Sequence, residues 1–357
     1  VTGPEATSGD ALSEPGRAGG GAAGRLDRLM RAGTDLLGTR HAILGGAMTW
    51  VSERGLVAAI SNAGGFGVIA CGSMPAEALR GEIRATRALT ERPFGVNLIT
   101  MHPDLDALID VCGDEGVGHV VLAGGLPPRL ASRRVKDVGC RLICFAPTLG
   151  IARRLVRDGA DALIIEGMEA GGHVGPVSLG VLAQEILPIM REVPVFVAGG
   201  LGRGEAIAAF LEMGAAGCQI GTRFVCASES IAHPEFKRAY FRAEARDAQP
   251  SVQVDPAFPV IPVRALQNEA SRRFILYQHE VIGEVRAGRL AQKQAQLLIE
   301  HFWAGALRRA VLDGDVVNGS LMAGQSVGMV KKEQPVACIM AELVAQACAA
   351  LDARTPA

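Results

Sequence analysis

Residues 162–175 hold the densest chemistry of the chain: Ala-Leu-Ile-Ile-Glu-Gly-Met-Glu-Ala-Gly-Gly-His-Val-Gly. An apolar run of strand character ends at Glu166 and enters a loop with two adjacent glycines and one histidine, His173. Gly171 and Gly172 let the main chain take positive φ and come close to a ligand. An imidazole so placed can take or give a proton near neutral pH. A lone histidine is more often structural than catalytic; the glycines around this one and its place at a strand end leave the two readings even.

Two later segments carry the groups a phosphate needs. Val195-Phe-Val-Ala-Gly-Gly-Leu-Gly-Arg-Gly204 reads as a strand, a glycine loop and a helix start, and free N–H groups at a helix N-terminus bind phosphate. Gln219-Ile-Gly-Thr-Arg-Phe224 follows the next apolar run. There Gly221 and Thr222 would offer an N–H and a hydroxyl to the same group. Gly199, Gly200, Gly221 and Thr222 are thus candidate phosphate ligands; a tight turn needing glycines is the plainer alternative. A third segment, Ser61-Asn-Ala-Gly-Gly-Phe-Gly67, opens a GxGxxA match at Gly65. Its strand follows the glycines instead of preceding them, so a dinucleotide site is rejected. Asn62 either reaches the same mouth or simply ends a helix before glycine.

These groups need a frame. Apolar segments of strand length recur at 42–46, 67–71, 94–98, 119–123, 141–146, 162–166, 194–198 and 217–221. Helical patterns lie between most of them, at 75–89, 103–112, 149–157, 179–190 and 204–213. The strands do not alternate with polar residues, which suits a parallel sheet covered by helices. Eight such repeats point to an α/β fold, a (β/α)8 TIM barrel, with its site at the C-terminal strand ends. The two glycine loops then follow strands seven and eight, where barrel phosphate sites commonly lie.

After Phe224 the rhythm stops. Residues 229–312 show polar helical patterns at 234–246, 266–286 and 292–312 and a Pro-rich stretch at 255–262. They read as an inserted, mainly helical substrate or lid domain over the barrel mouth. The barrel itself is expected from 26–228 and 313–357, with an Ala-rich helix over 335–351 completing its wall. Residues 1–25 are rich in Gly, Ala, Ser, Pro and Glu and are expected to be a disordered tail.

Composition removes several function classes. The net charge of −1 gives no electrostatic case for nucleic acid or an anionic membrane. Eight cysteines without a CxxC pair or metal-ligand spacing fit a reduced cytoplasmic enzyme without a metal. No unbroken apolar run is long enough to span a bilayer.

Taken together, Gly46-Ala-Met48, Ser61-Asn-Ala-Gly-Gly-Phe-Gly67, Pro93-Phe-Gly-Val-Asn97, Glu166-Gly-Met-Glu-Ala-Gly-Gly-His173, Ala198-Gly-Gly200 and Gln219-Ile-Gly-Thr-Arg-Phe224 resemble the 2-nitropropane dioxygenase, or nitronate monooxygenase, family. The resemblance covers about 36–350. It implies an FMN-dependent oxidoreductase in a barrel, acting on a small nitronate or nitroalkane with O2. By the same resemblance His173 is the base. Met48, Asn62 and Glu166 lie near the flavin ring or ribityl chain, Gly171 and Gly172 beside the ring, and Gly199, Gly200, Gly221 and Thr222 at the phosphate. The family often has Gln where this chain has Glu166, and Arg where it has Val174. The Glu-Gly-Met-Glu form, with Gly319-Ser-Leu-Met-Ala-Gly-Gln325, also resembles FMN-dependent enoyl-acyl carrier protein reductases, which implies NAD(P)H. A non-catalytic flavin-binding sensor or partner subunit is a third alternative, and a homodimer stays open.

Overall fold

A computed structural model describes residues 21–354. Nine strands follow in chain order to Ile220: β1 Ile43–Gly45, β2 Gly67–Ala70, β3 Phe94–Ile99, β4 His119–Ala123, β5 Arg141–Phe145, β6 Ala162–Glu166, β7 Gly172–His173, β8 Val195–Ala198 and β9 Gly217–Ile220. All but β7 form one parallel sheet in the order β1-β9-β8-β6-β5-β4-β3-β2. Its two ends meet: Phe66 N donates to Ile43 O and Gly45 N donates to Phe66 O, each at 2.9 Å. The sheet therefore closes into the expected (β/α)8 barrel. The eight expected apolar runs are its eight strands. Their lack of alternation has its cause in burial on both faces, complete along β1 and β2.

The helix Val336–Ala353 supplies the last segment of the wall. It packs on helices Gly204–Glu212 and Ala22–Leu37. A Cβ added at Gly204 would stand 2.0 Å from Leu343 O, so only glycine permits that approach. Among the described helices only Val336–Ala353 is long and apolar enough to cross a membrane, with a mean hydropathy of 1.6. Its residues Ile339, Met340, Leu343, Ala347 and Leu351 are buried in the barrel core.

Helix Ala22–Leu37 corrects one expectation. The first twenty residues of the segment read as a tail lie outside the described residues, but the helix begins inside that segment. Gly24 and Leu26 are buried, and Arg25 pairs with Glu212 at 2.5 Å. This helix covers the N-terminal end of the barrel, where the His119 and Arg141 side chains reach Leu36 O.

The insertion contains helix Pro234–Arg242, strands β10 Ala248–Pro250 and β11 Val263–Leu266, and helices Glu269–Arg286, Gln292–His301 and Ala306–Asp313. The helical run expected over 292–312 is broken at Gly305, which takes φ 69°. Phe258, Phe274, Val281, Ile282, Ala295 and Ile299 make a small core of its own. Phe236, Tyr240, Ala310 and Val311 instead join the barrel core, so the independent part is narrower than 229–312. β11 pairs antiparallel with β10 and with β7, placing Val263 opposite His173 and Arg264 opposite Gly172. The insertion thus grips the histidine loop through a three-stranded sheet.

Candidate active site

The loops after β1, β8 and β9 meet at the C-terminal end of the barrel. Gly199 and Gly200 take φ 93° and 71°, conformations that side chains resist. Among the described residues, the N–H groups of Gly199, Gly200, Gly221 and Thr222 donate to no acceptor in the chain. Gly46 and Gly221 touch: a Cβ on Gly46 would lie 3.5 Å from Gly221 Cα. Met48 Sδ stands 3.4 Å from the Cβ position of Gly221. The Thr222 hydroxyl accepts from Gly324 N at 3.1 Å and keeps its own proton to donate. Four unpaired donors on neighbouring strand ends suit an anion such as a phosphate monoester.

The histidine loop is built by close backbone packing. A Cβ on Gly171 would lie 2.6 Å from Gly324 N and 2.7 Å from Ala323 C. The Glu169 carboxylate accepts from Leu179 N at 3.0 Å, capping helix Leu179–Ile186, and its carbonyl accepts from Gln325 N at 2.9 Å. Arg264, only 3% exposed, donates from Nε to Met168 O at 2.8 Å and from Nη1 to Ala248 O at 2.5 Å. Burial lowers its pKa, an effect the Glu169 carboxylate partly offsets. His173 is exposed, and its ring makes no hydrogen bond among the described residues. Desolvation by the surrounding chain lowers its pKa from the usual histidine value. A lowered pKa favours the neutral imidazole, the form that accepts a proton.

Glu166 ends β6 on a pocket of about 260 Å³. Leu126, Phe145, Ile151, Ile164, Val177 and Leu182 line it. The half-buried carboxyl touches the pocket and makes no hydrogen bond among the described residues, and burial pushes its pKa up to about 8. An unfolded glutamate ionises near ~4.3. Between those values the folded state holds the extra proton, so stability falls as pH rises through the window. Glu166→Gln should match the parent near pH 4. By pH 8 it should be more stable by roughly 2–4 kcal/mol, allowing for water in the pocket. Thermal unfolding at several pH values reads this directly; a gap that does not widen with pH would contradict it.

Asn62 is not part of the mouth, which corrects the reading carried from the resemblance. It ends helix Arg54–Asn62, donates to Leu89 O at 3.1 Å and accepts from Thr90 Oγ1 at 2.6 Å. It lines a separate pocket with Gly38, Arg40, Arg92 and Pro93, at the end covered by helix Ala22–Leu37. Its helix-ending role, read from the following glycine, is what the backbone adopts. Asn62→Ala should cost ~1 kcal/mol of stability and leave cofactor content unchanged; a fall in content would return Asn62 to the site.

Several residues at the mouth carried no clear sequence signal. Segment 319–325, a motif without a residue role in the sequence, packs against both Gly171 and Thr222. Trp50 sits after β1 at φ 69°, with the Arg308 guanidinium 5.9 Å from its ring centroid. Such strain in a bulky residue tends to mark functional loops. All eight cysteines are free, and no metal-holding cluster occurs among the described residues.

Comparison with known proteins agrees with this geometry. The nitronate monooxygenase family model matches residues 31–108 and 104–346. The nitronate monooxygenase of Pseudomonas aeruginosa is 34% identical over 252 residues, 58% of this chain and 72% of that protein. The 5-hydroxy-7a-methyl-1-oxo-octahydro-1H-indene-4-carboxyl-CoA dehydrogenase of Rhodococcus jostii is 30% identical over 357 residues, covering 92% and 98%. The structure of FabK from Thermotoga maritima superposes with a TM-score of 0.81 at 36% identity, covering 90% of this chain and 96% of that one. With the family match running through barrel and insertion alike, this chain is an oxidoreductase that belongs to the nitronate monooxygenase family.

Proposed function

We propose that the protein is an FMN-dependent oxidoreductase that oxidises alkyl nitronates and nitroalkanes with O2 to a carbonyl compound and nitrite. The observation that carries the reading is His173 on the loop after β6, its ring without a hydrogen bond among the described residues, at the same end of the barrel as four unpaired N–H groups. Those groups, on Gly199, Gly200, Gly221 and Thr222, would hold the FMN phosphate. Met48, Glu166, Gly171 and Gly172 would border the ring or the ribityl chain. When bound, FMN supplies the two-electron chemistry and the reactivity with O2.

The chain supplies position and proton transfer. A neutral nitroalkane must lose the proton on the carbon bearing the nitro group. The lone pair of the desolvated His173 ring takes it. A preformed nitronate needs no such step. β11 fixes the main-chain direction at His173, and Arg264 ties the preceding Met168 carbonyl to the insertion.

A second reading has its own support. Segment 319–325, which resembles the enoyl reductases, packs against Gly171. The Rhodococcus relative named for a carboxyl-CoA substrate matches over nearly its whole length. Here NAD(P)H would be the reductant, and His173 would handle the proton on the carbon next to a thioester carbonyl. An oxygen electrode with propyl nitronate and no NAD(P)H, run beside an NADH assay with an enoyl thioester, separates the two. Oxygen uptake with nitronate is expected. Fast NADH oxidation with the thioester and none with nitronate would establish the second reading.

A further inference from the structure

We propose that Arg264 is a positioning residue for proton removal: from the buried face of the small sheet, its guanidinium fixes the loop that carries His173. This rests on the reading of His173 as the base. It does not depend on which of the two substrate classes is correct.

Three observations carry it. The first is the face on which the side chain lies. β11 runs antiparallel to β7, with Val263 opposite His173 and Arg264 opposite Gly172. Neighbouring residues of a strand face opposite sides of a sheet, so Arg264 and His173 lie on opposite faces. Burial agrees: Arg264 and Gly172 are buried, Val263 is half-buried and His173 is exposed. Any effect of Arg264 on the reaction must therefore pass through the main chain.

The second is what the guanidinium holds. It joins Met168 O, two residues past the end of β6, to Ala248 O, at the start of β10. One side chain on the central strand thus ties the entry of the histidine loop to the outer strand of the insertion's sheet. The Glu169 carboxylate partly offsets the charge, but its hydrogen bond goes to Leu179 N. A buried cation is costly, and a well-packed apolar side chain would avoid that cost. The planar fork reaches two fixed acceptors at once, whereas the ammonium of lysine is a compact point charge on a flexible stem.

The third is how short the histidine's own strand is. β7 has two residues, and beyond it Val174 N donates to Pro262 O at 3.0 Å. On its other side the loop leans on the turn after β8. Gly167 O would stand 2.9 Å from a Cβ on Gly199, and Glu169 Cβ 3.0 Å from a Cβ on Gly200. Fixing Met168, between those two contacts, sets where the loop leaves the proposed phosphate turn on its way to His173. A displacement of about 1 Å in such a group can cost ~10² in rate.

The test compares flavin-loaded Arg264→Met and Arg264→Lys with the parent. On nitroethane kcat should fall by about 10–10² for Arg264→Met and less for Arg264→Lys, with KM changed less than about threefold. Preformed ethyl nitronate, which needs no proton removed, should keep at least about a third of the parent rate. Adding Arg264→Met to His173→Ala should lower the rate no further, because both act on one step. Amide hydrogen exchange over 167–175 should quicken, with the barrel strands unchanged, and this readout needs no turnover. A parent kcat in Arg264→Met would overturn the proposal, as would a loss as large on the nitronate as on nitroethane. So would losses that multiply in the double variant, or unchanged exchange over 167–175. If circular dichroism shows Arg264→Met unfolded, Arg264→Lys decides by the same rates and exchange. His173→Ala at the parent rate would instead contradict the base reading itself. A parent inactive on nitroethane would bear on the substrate class, and the kcat ratio and the double variant would then be read with NADH and an enoyl thioester.

Discussion

Replacing His173 with alanine is expected to lower turnover of nitroethane by about 10²–10⁴, the usual worth of a general base, while FMN stays bound. The two effects separate because the residues lie on different elements. His173 is in β7, held by β11 of the insertion. The unpaired N–H groups follow β8 and β9. Preformed ethyl nitronate should suffer much less, since it has already lost the proton. Steady-state rates on both substrates, with flavin absorbance of the purified variant, check this. Equal losses on both would assign His173 to positioning, and no loss would make it structural. The depressed pKa adds a pH signature. Activity on the neutral nitroalkane should persist to lower pH than an ordinary histidine allows, because the imidazole stays unprotonated there.

Gly199→Val is expected to empty the protein of flavin. Gly199 takes φ 93°, and its added Cβ would stand 2.9 Å from Gly167 O and 3.1 Å from Gly167 N. Both neighbours are main chain and cannot swing aside. The loop after β8 must therefore turn, and the Gly199 and Gly200 N–H groups turn with it. Each hydrogen bond to a charged group is worth about 1.5–3 kcal/mol, so losing two should weaken FMN by at least ~10². Flavin content after gel filtration, with circular dichroism to confirm that the barrel survives, reads the outcome. Retained FMN would place the phosphate elsewhere. Gly200 is a weaker test, because a Cβ there meets only the Glu169 side chain, with Cβ at 3.0 Å and Cγ at 3.6 Å.

The barrel was legible because its strands are buried on both faces and so read as unbroken apolar runs. Val195–Ala198 and Ala162–Glu166 could be placed without any knowledge of their neighbours. β7 could not. It is two residues long, one of them glycine, and its partner Val263–Leu266 comes some ninety residues later. The insertion's grip on His173 is thus a long-range pairing with no local pattern. Arg264 was hidden for the same reason, since its acceptors, Met168 O and Ala248 O, are main-chain atoms supplied by distant loops. Asn62 failed differently. Its segment is glycine-rich like the mouth loops, but it precedes a strand, so the chain delivers it to the opposite end. That order was enough to reject a dinucleotide site, and the same argument applied to Asn62 gives its observed place. Glu166 was found as a strand-end residue. Its apolar pocket is assembled from Leu126, Phe145, Ile151 and Leu182 on separate elements and exists only in the fold.

The most direct measurement is the identity of the flavin. Purified protein would be denatured by heat, and the supernatant separated and weighed by mass spectrometry. FMN at about one per chain is the expected result, from a single phosphate site at Gly199, Gly200, Gly221 and Thr222 and no dinucleotide loop. FAD in its place, or a colourless protein that takes up no added FMN, would contradict it.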